Sequence, residues 1–375
     1  MNIVRNWTTT LPEYCGIESI RFESEWIILD LYGKGNEAKI ALNTINGKIQ
    51  KREVREPGLK GFVEKKANEY IISIMKGCNN KLLSKVIRGL NVKLMCKQDL
   101  CIIAHINRER VLTITLISRD GSIIDELKIG KVYEFDIAST ASVLALSTIG
   151  VNEETTLLLL VDPSTKSVIE RLTGFGGFLL PSLDFIIVYS YIENKPFSKI
   201  YTENGEELFE IDGLPTLPPY TPFPRHTNQY LCEPHKIVFI TKNDIRVVNS
   251  RDFTLENILP KPPLMRGVVD VDSRSYVITG FSKISGLPLL TQYLVTGDIK
   301  WFIHATNSFS YALASQRLIA IYSRSPLNET RIYALDDNGM PLYIDSFAPN
   351  VFPLIVKENT VILTDIKMVS SYSIE

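Results

Sequence analysis

The chain has 375 residues, 45% hydrophobic and 22% charged, and its 41 Lys and Arg against 42 Asp and Glu leave a net charge of −1. That balance excludes a polycation built for nucleic acid, and the hydrophobic content excludes a chain too polar to build a core. The five cysteines (Cys15, Cys78, Cys96, Cys101 and Cys232) are odd in number and scattered, which predicts reduced thiols rather than a disulfide framework.

Helical periodicity is nearly absent along the chain. Apolar stretches are short, rich in Ile, Val, Leu, Tyr and Phe, and bounded by Gly, Asn, Asp, Ser or Pro, which is the strand signal. Met1 to Thr10 lacks the apolar core of a signal peptide, and Ile3 to Thr9 reads as a lone strand. Trp26 to Tyr32 is a strand that runs into Gly33-Lys34-Gly35-Asn36-Glu37-Ala38, a match to G-x-G-x-x-A. A dinucleotide site needs a helix there, but Lys39 to Thr44 and Asn46-Gly47 read as strand and turn, so the match is a hairpin loop.

Residues 57–90 hold one good strand, Asn68 to Lys76, followed by poorly matched sequence, so a degenerate or merged unit is expected there. A clear unit follows. Tyr133 to Ser139 leads through a corner at Thr140-Ala141 to Ser142 to Thr148, then by the loop Gly150 to Glu154 to Thr155 to Val161. The turn Asp162-Pro163-Ser164 then leads to Ser167 to Leu172. The two middle strands are apolar almost without a break, as in sheets covered on both faces. The longest apolar runs, Leu157 to Val161 and Phe185 to Tyr191, have strand length and fall far short of a membrane-spanning helix.

Residues 214–226 break the rhythm with Pro215, Pro218, Pro219, Pro222 and Pro224, which exclude helix and central strand and mark an insertion loop. Directly after it, His226, Cys232 and His235 form H-x5-C-x2-H. These are zinc-type ligands, but three of them fall short of a structural zinc set, so strand-corner residues are the preferred reading. Asp270 and Asp272 alternate on one predicted strand. They would share a face, either lining a central channel or accepting local hydrogen bonds. Val351 to Val356, Thr360 to Asp365 and Met368 to Ile374 supply three last strands, and Ile3 to Thr9 would complete them, joining residues 1–10 to 349–375.

Corners between first and second strands recur near Ser24, Ala67, Gln98, Thr140, Leu183, Pro234, Ser273, Gln316 and Glu358, most of them roughly 42 residues apart, with one shorter interval from Ala67 to Gln98 and one longer from Leu183 to Pro234. A strand-bearing repeat of this period predicts one all-β domain over residues 1–375. The expected architecture is a single β-propeller of four-stranded antiparallel blades, with eight blades favoured and seven to nine open.

The turns carry a resemblance. Thr296-Gly297-Asp298-Ile299-Lys300-Trp301, Ala334-Leu335-Asp336 with Asn338-Gly339 and Leu342-Tyr343, and Leu160-Val161-Asp162-Pro163-Ser164-Thr165-Lys166 resemble the repeat hairpins of quinoprotein-like (PQQ-like) and WD40-like propellers. The resemblance implies blade geometry and brings no cofactor residues with it. The adjacent cysteine pair of quinoprotein dehydrogenases and the Trp-Asp and Gly-His dipeptides of WD repeats are missing.

No nucleophile elbow, phosphate loop or zincin motif appears, and no cofactor is expected. The loops between second and third strands are rich in charge: Asn107-Arg108-Glu109-Arg110, Gly150 to Glu154, Glu193-Asn194-Lys195-Pro196, and Ser323 to Glu329. Propellers gather such loops on one face. That predicts a rim made by Arg108, Arg110 and Arg324, with Tyr220, Phe223 and Arg225 of the proline-rich loop as anchors. The expected function is a non-catalytic scaffold for protein–protein interaction, a cytoplasmic subunit or adaptor with a protein partner, no nucleic acid as its main ligand and no membrane span. The alternative is an enzyme or small-ligand or metal binder at the central pocket, using Asp270, Asp272, His226 and His235. The sequence is silent on oligomeric state.

Overall fold

The computed structural model describes residues 2–11, 16–23, 25–32, 37–56, 58–66, 69–76, 80–140, 142–182, 184–216, 236–271, 274–304, 309–315, 317–323, 329–336, 338–347, 351–365 and 367–375. They form antiparallel strands and short connections, with no helix among the described residues. The strands make eight sheets: six of four strands, one of three at 59–87, and one of seven at 91–173. The seven-stranded sheet holds two meanders that share the long strand Ile123–Ser139. The described strands therefore group into nine meanders, here called the first (16–55), second (59–87), third (91–130), fourth (131–173), fifth (178–211), sixth (214–260), seventh (265–304), eighth (309–347) and ninth (352–374 with 3–10). Each expected corner falls between the first two strands of one meander. The architecture is that of a β-propeller.

The fourth unit shows why its middle strands are apolar throughout. Leu144, Leu146, Leu157 and Leu159 point to one side and pack with Ile102, Leu112 and Ile114 of the third unit. Ala145, Leu158 and Leu160 point to the other side and pack with Leu179, Ile186 and Val188 of the fifth. A strand between two neighbours has no wet face, so alternation disappears. The outer strand Ser167–Thr173 touches solvent along most of its length, and it alone mixes Glu, Arg and Ser with Val and Ile. Similar shared clusters join the second and third units, then each pair from the fifth to the ninth, and the ninth to the first. Among the described residues no buried cluster spans the first and second units.

The period becomes physical on the inner strands. Asn91 Nδ2 donates to Glu134 Oε1 at 2.9 Å and Lys93 Nζ to Asp136 Oδ1 at 2.7 Å, both across 43 positions. The other oxygen of Asp136 accepts the Leu179 amide at 3.0 Å, again 43 positions on. In the ninth unit, Ile3–Thr10 pairs antiparallel with Met368–Ile374, from Ile3 opposite Ile374 to Thr10 opposite Met368. Asn2 and Glu375 exchange backbone hydrogen bonds beyond that ladder.

One expectation is corrected. Cys96 and Cys101 form a disulfide rather than two reduced thiols. They stand directly opposite each other on Asn91–Lys97 and Leu100–Ile106, on either side of a tight corner. Scatter over the whole chain hid a pair that is local once its hairpin is recognised.

Candidate partner-binding site

Three second-to-third-strand connections lie at the same strand end of the third, fourth and fifth units. The first is 107–110. Asn107 Oδ1 accepts the amides of Glu109 and Val111, both at 2.9 Å, and so fixes the turn from its own first residue. The turn closes with Arg110 at φ 64°. The Arg110 carbonyl accepts the Val132 amide at 2.9 Å, which ties this loop to the inner strand of the next unit. Its guanidinium carbon then lies 5.6 Å from the centroid of Tyr133, a cation–π contact. Arg108 is exposed at the tip of the same turn.

The second connection follows 150. The Val151 amide donates to the Lys131 carbonyl, two residues before Tyr133. Asn152 Oδ1 accepts from the Thr155 amide and hydroxyl and stiffens that loop. In the third connection Ile192 stands opposite Lys195, and the two residues between them, Glu193 and Asn194, both have positive φ, the geometry of a tight two-residue hairpin. Large apolar groups are exposed on and beside these connections: Val151 is 51% exposed within the second, Tyr133 56% on the strand Ile123–Ser139, and Tyr191 61% and Ile192 47% at the end of the strand Phe185–Ile192. Rigid loops that present aromatic and aliphatic side chains among Arg, Lys and Glu have the composition of a protein-binding surface. Tyr133, Val151, Tyr191 and Ile192 were not anticipated from the sequence. The signal for Val151, Tyr191 and Ile192 is an apolar residue one or two positions from a charged loop tip, whereas Tyr133 lies on a strand and meets the loops only through its contact with Arg110.

Among the expected site residues, the structure describes the positions of Arg108, Arg110 and Asp270. Arg324, Tyr220, Phe223, Arg225, His226, Cys232, His235 and Asp272 lie outside the described residues. Asp270 lies on the strand Met265–Val271, opposite Val277 and beside a bulge that follows Val268. The proline-rich stretch expected as an insertion at 214–226 begins on a strand, with Leu214 opposite Ile240, Pro215 opposite Phe239 and the Thr216 amide donating to the Val238 carbonyl; residues 217–235 lie outside the described residues and connect it to Lys236–Ile240. It is a first-to-second connection, and in a meander such a connection sits at the opposite strand end from a second-to-third one. Its described ends therefore leave from the other end of the strands than the loops of Arg108 and Arg110. Among the described residues no three His, Cys, Asp or Glu side chains are placed to hold a metal ion, and no helix is long and apolar enough to cross a membrane.

No protein-family model matches the chain, and no curated protein matches it. Solved structures resemble it in fold. BamB from Moraxella catarrhalis aligns at TM-score 0.42 with 8% identity, over 100% of this chain and 98% of that one. A eukaryotic initiation factor aligns at TM-score 0.45 with 11% identity, over 91% and 90%. Hsv2p of Kluyveromyces lactis aligns at TM-score 0.40 with 10% identity, over 78% and 99%. These neighbours are PQQ-like and WD40 propellers, and the likeness is one of fold alone.

Proposed function

We propose that this chain is a non-catalytic scaffold that docks a protein partner, as a subunit or adaptor, through the face carrying Arg108, Arg110, Tyr133, Val151, Tyr191 and Ile192. The observation that carries the reading is the exposure of Tyr133 and Tyr191 on strands beside tight connections, Tyr133 against the Arg110 guanidinium of the 107–110 turn and Tyr191 next to the 193–194 hairpin. Large side chains fixed in place lose little further entropy on binding, which is what a docking surface needs. The reading is tested by quantitative affinity purification of the tagged chain. Three forms are compared: the native sequence, the double variant Tyr133→Ser with Tyr191→Ser, and the control Leu342→Ser on the outer strand of the eighth unit. A partner recovered with the native chain and the control, and reduced at least about fivefold with the double variant, is expected, because truncating one aromatic anchor costs about 1 kcal/mol or more. Equal recovery from all three would show that the partner uses another surface. No specific partner from any of them overturns the scaffold reading.

A further inference from the structure

The second unit is short of one strand. Its sheet holds Leu59–Lys66, Glu69–Lys76 and Asn80–Ile87, whereas each of the other units has four described strands. The chain does not supply the fourth locally, because only Arg88, Gly89 and Leu90 separate Ile87 from the next unit. Leu59–Lys66 lies against the inner strand of the third unit, with Gly61 up against Leu94, so Asn80–Ile87 is the outward edge. It occupies a third-strand position with the exposure of an outer strand. The third strands Val111–Ser118 and Leu157–Asp162 of the next two units are buried almost throughout. In Asn80–Ile87 only Ile87 is buried, and Val86 is 55% exposed.

In an antiparallel ladder residues alternate between bonding one neighbour and the other, so about half the backbone groups of Asn80–Ile87 face away from Glu69–Lys76. Among the described residues no second strand runs along that side and no other backbone bonds to it. The turn at Gly121 of the third unit comes up beside the Leu82 carbonyl, and the length from Leu83 to Ile87 lies beyond it.

Charge decides what this edge takes. Residues 59–90 hold seven Lys and Arg against two Glu, in a chain that is balanced overall. Both glutamates are engaged within the unit, Glu64 with Lys66 at 3.5 Å and Glu69 with Arg88 at 2.7 Å. Lys81 and Lys85 are exposed on the edge strand itself and form no ion pair among the described residues. The complete units show what stands opposite such a lysine. In the fifth, Lys199 on the third strand lies opposite Glu210 on the fourth, its Nζ 3.6 Å from that carboxylate and 2.7 Å from Glu207. In the first, Lys39 on the third strand lies opposite Glu53 on the fourth.

We propose that the open edge of Asn80–Ile87 takes an extended acidic segment of a partner protein as the fourth strand of the second unit, with carboxylates opposite Lys85 and within reach of Lys81. Main-chain hydrogen bonds supply the affinity and the lysines select the charge. The inference rests on the scaffold reading for its partner, but its site shares no residue with the loop face.

The test uses the full chain and fluorescence anisotropy with a fluorescein-labelled peptide of about eight residues, glutamate interspersed with valine and threonine. Three probes provide the comparison: the same peptide with lysine in place of glutamate, the glutamate peptide with a central proline, and single-stranded oligodeoxythymidine of equal length. Proline keeps the charge and removes a ladder donor. The glutamate peptide is expected to bind at least about tenfold tighter than each of the three. Lys81→Glu with Lys85→Glu, changes at exposed side chains, should bring the glutamate and lysine peptides within about twofold of each other. In the native chain, hydrogen exchange of the amides of 83–87 should slow when the glutamate peptide is bound. Equal affinities of the glutamate and proline peptides, an oligonucleotide that binds as tightly, no binding up to about 1 mM, or unchanged exchange at 83–87 overturns the proposal. Exchange there that slows with rising chain concentration and no peptide gives the edge to a second copy, which overturns it too. If the peptide fails while partner recovery still depends on Tyr133 and Tyr191, the open edge falls and the scaffold stands. If the peptide binds and no partner is recovered, the scaffold reading is the one that falls.

Discussion

His105 lies on the strand Leu100–Ile106 with its Nδ1 buried and without a hydrogen-bond partner among the described residues. Burial is the larger cause that holds its pKa below the ordinary 6.5, and the nearby Lys85 charge adds to it, while Glu126 works weakly the other way. The neutral ring is therefore the form that the folded chain accepts. Above about pH 6.5 the ring is neutral folded or unfolded, and the site adds no pH dependence. Below that pH the unfolded chain takes up the proton first, so stability is lost as pH falls, until the lower folded-state pKa is passed. Thermal unfolding followed from pH 7.5 to 5.5 should show a falling Tm for the native chain and a flatter line for His105→Gln. Parallel lines would mean that His105 is not the group responsible. Nothing in Ala104-His105-Ile106 announces this, because the orphaned nitrogen is made by the neighbouring unit and not by the local sequence.

At the scale of the strand, Asp136 joins three units. Its two oxygens accept from Lys93 Nζ of the third unit and the Leu179 amide of the fifth, while its own backbone belongs to the fourth. Asp136→Ala would leave a half-buried ammonium and a backbone amide without their acceptor, at a cost of about 1–3 kcal/mol. Asp136→Asn keeps the shape and one acceptor and should cost less. Urea unfolding of both variants checks this; equal midpoints for native chain and Asp136→Ala would remove Asp136 from the set of ring-joining residues. The strands themselves were legible in the sequence, because unbroken apolar runs such as Leu157 to Val161 arise directly from packing on both faces. Turns built on Asn46-Gly47, Asp120-Gly121 and Asn204-Gly205 were legible too, since their glycines at φ 70°, 86° and 89° are local necessities. Which side chain reaches the next unit was not legible. The Lys93–Asp136 bond spans 43 positions, and either residue alone reads as an ordinary strand polar group. The Cys96–Cys101 pair is invisible in the spacing of cysteines over the whole chain, because its partners meet only across one hairpin.

At the scale of the whole chain, the recurrent corner carried most of the architecture, while the face that meets a partner depends on how units sit side by side and so had to be seen. The contribution of residues 2–10 follows from the same side-by-side packing. Ile3–Thr10 is the fourth strand of a sheet whose other three strands come from the far end of the sequence. Trp7 also reaches the first unit: its indole Nε1 donates to the Thr44 carbonyl at 3.2 Å, and its ring packs on the cluster of Ile27, Leu29, Leu42, Ile362 and Val369. Gly47 sits so close beneath that ring that a Cβ there would approach Trp7 to 2.5 Å, so the fit leaves no slack. Removing residues 2–10 would strip a ladder from Met368–Ile374 and open apolar surface on the first and ninth units together. Exposed edges of this kind pair with other chains. The shortened chain is therefore expected to melt at least about 5 °C lower and to elute partly as oligomers in size-exclusion chromatography. Trp7→Ala should show the lower Tm while eluting like the native chain, because it keeps the backbone ladder and loses only the packing. A shortened chain that elutes like the native chain with its Tm unchanged would mean that the ladder of Ile3–Thr10 does not hold the two ends of the sequence together.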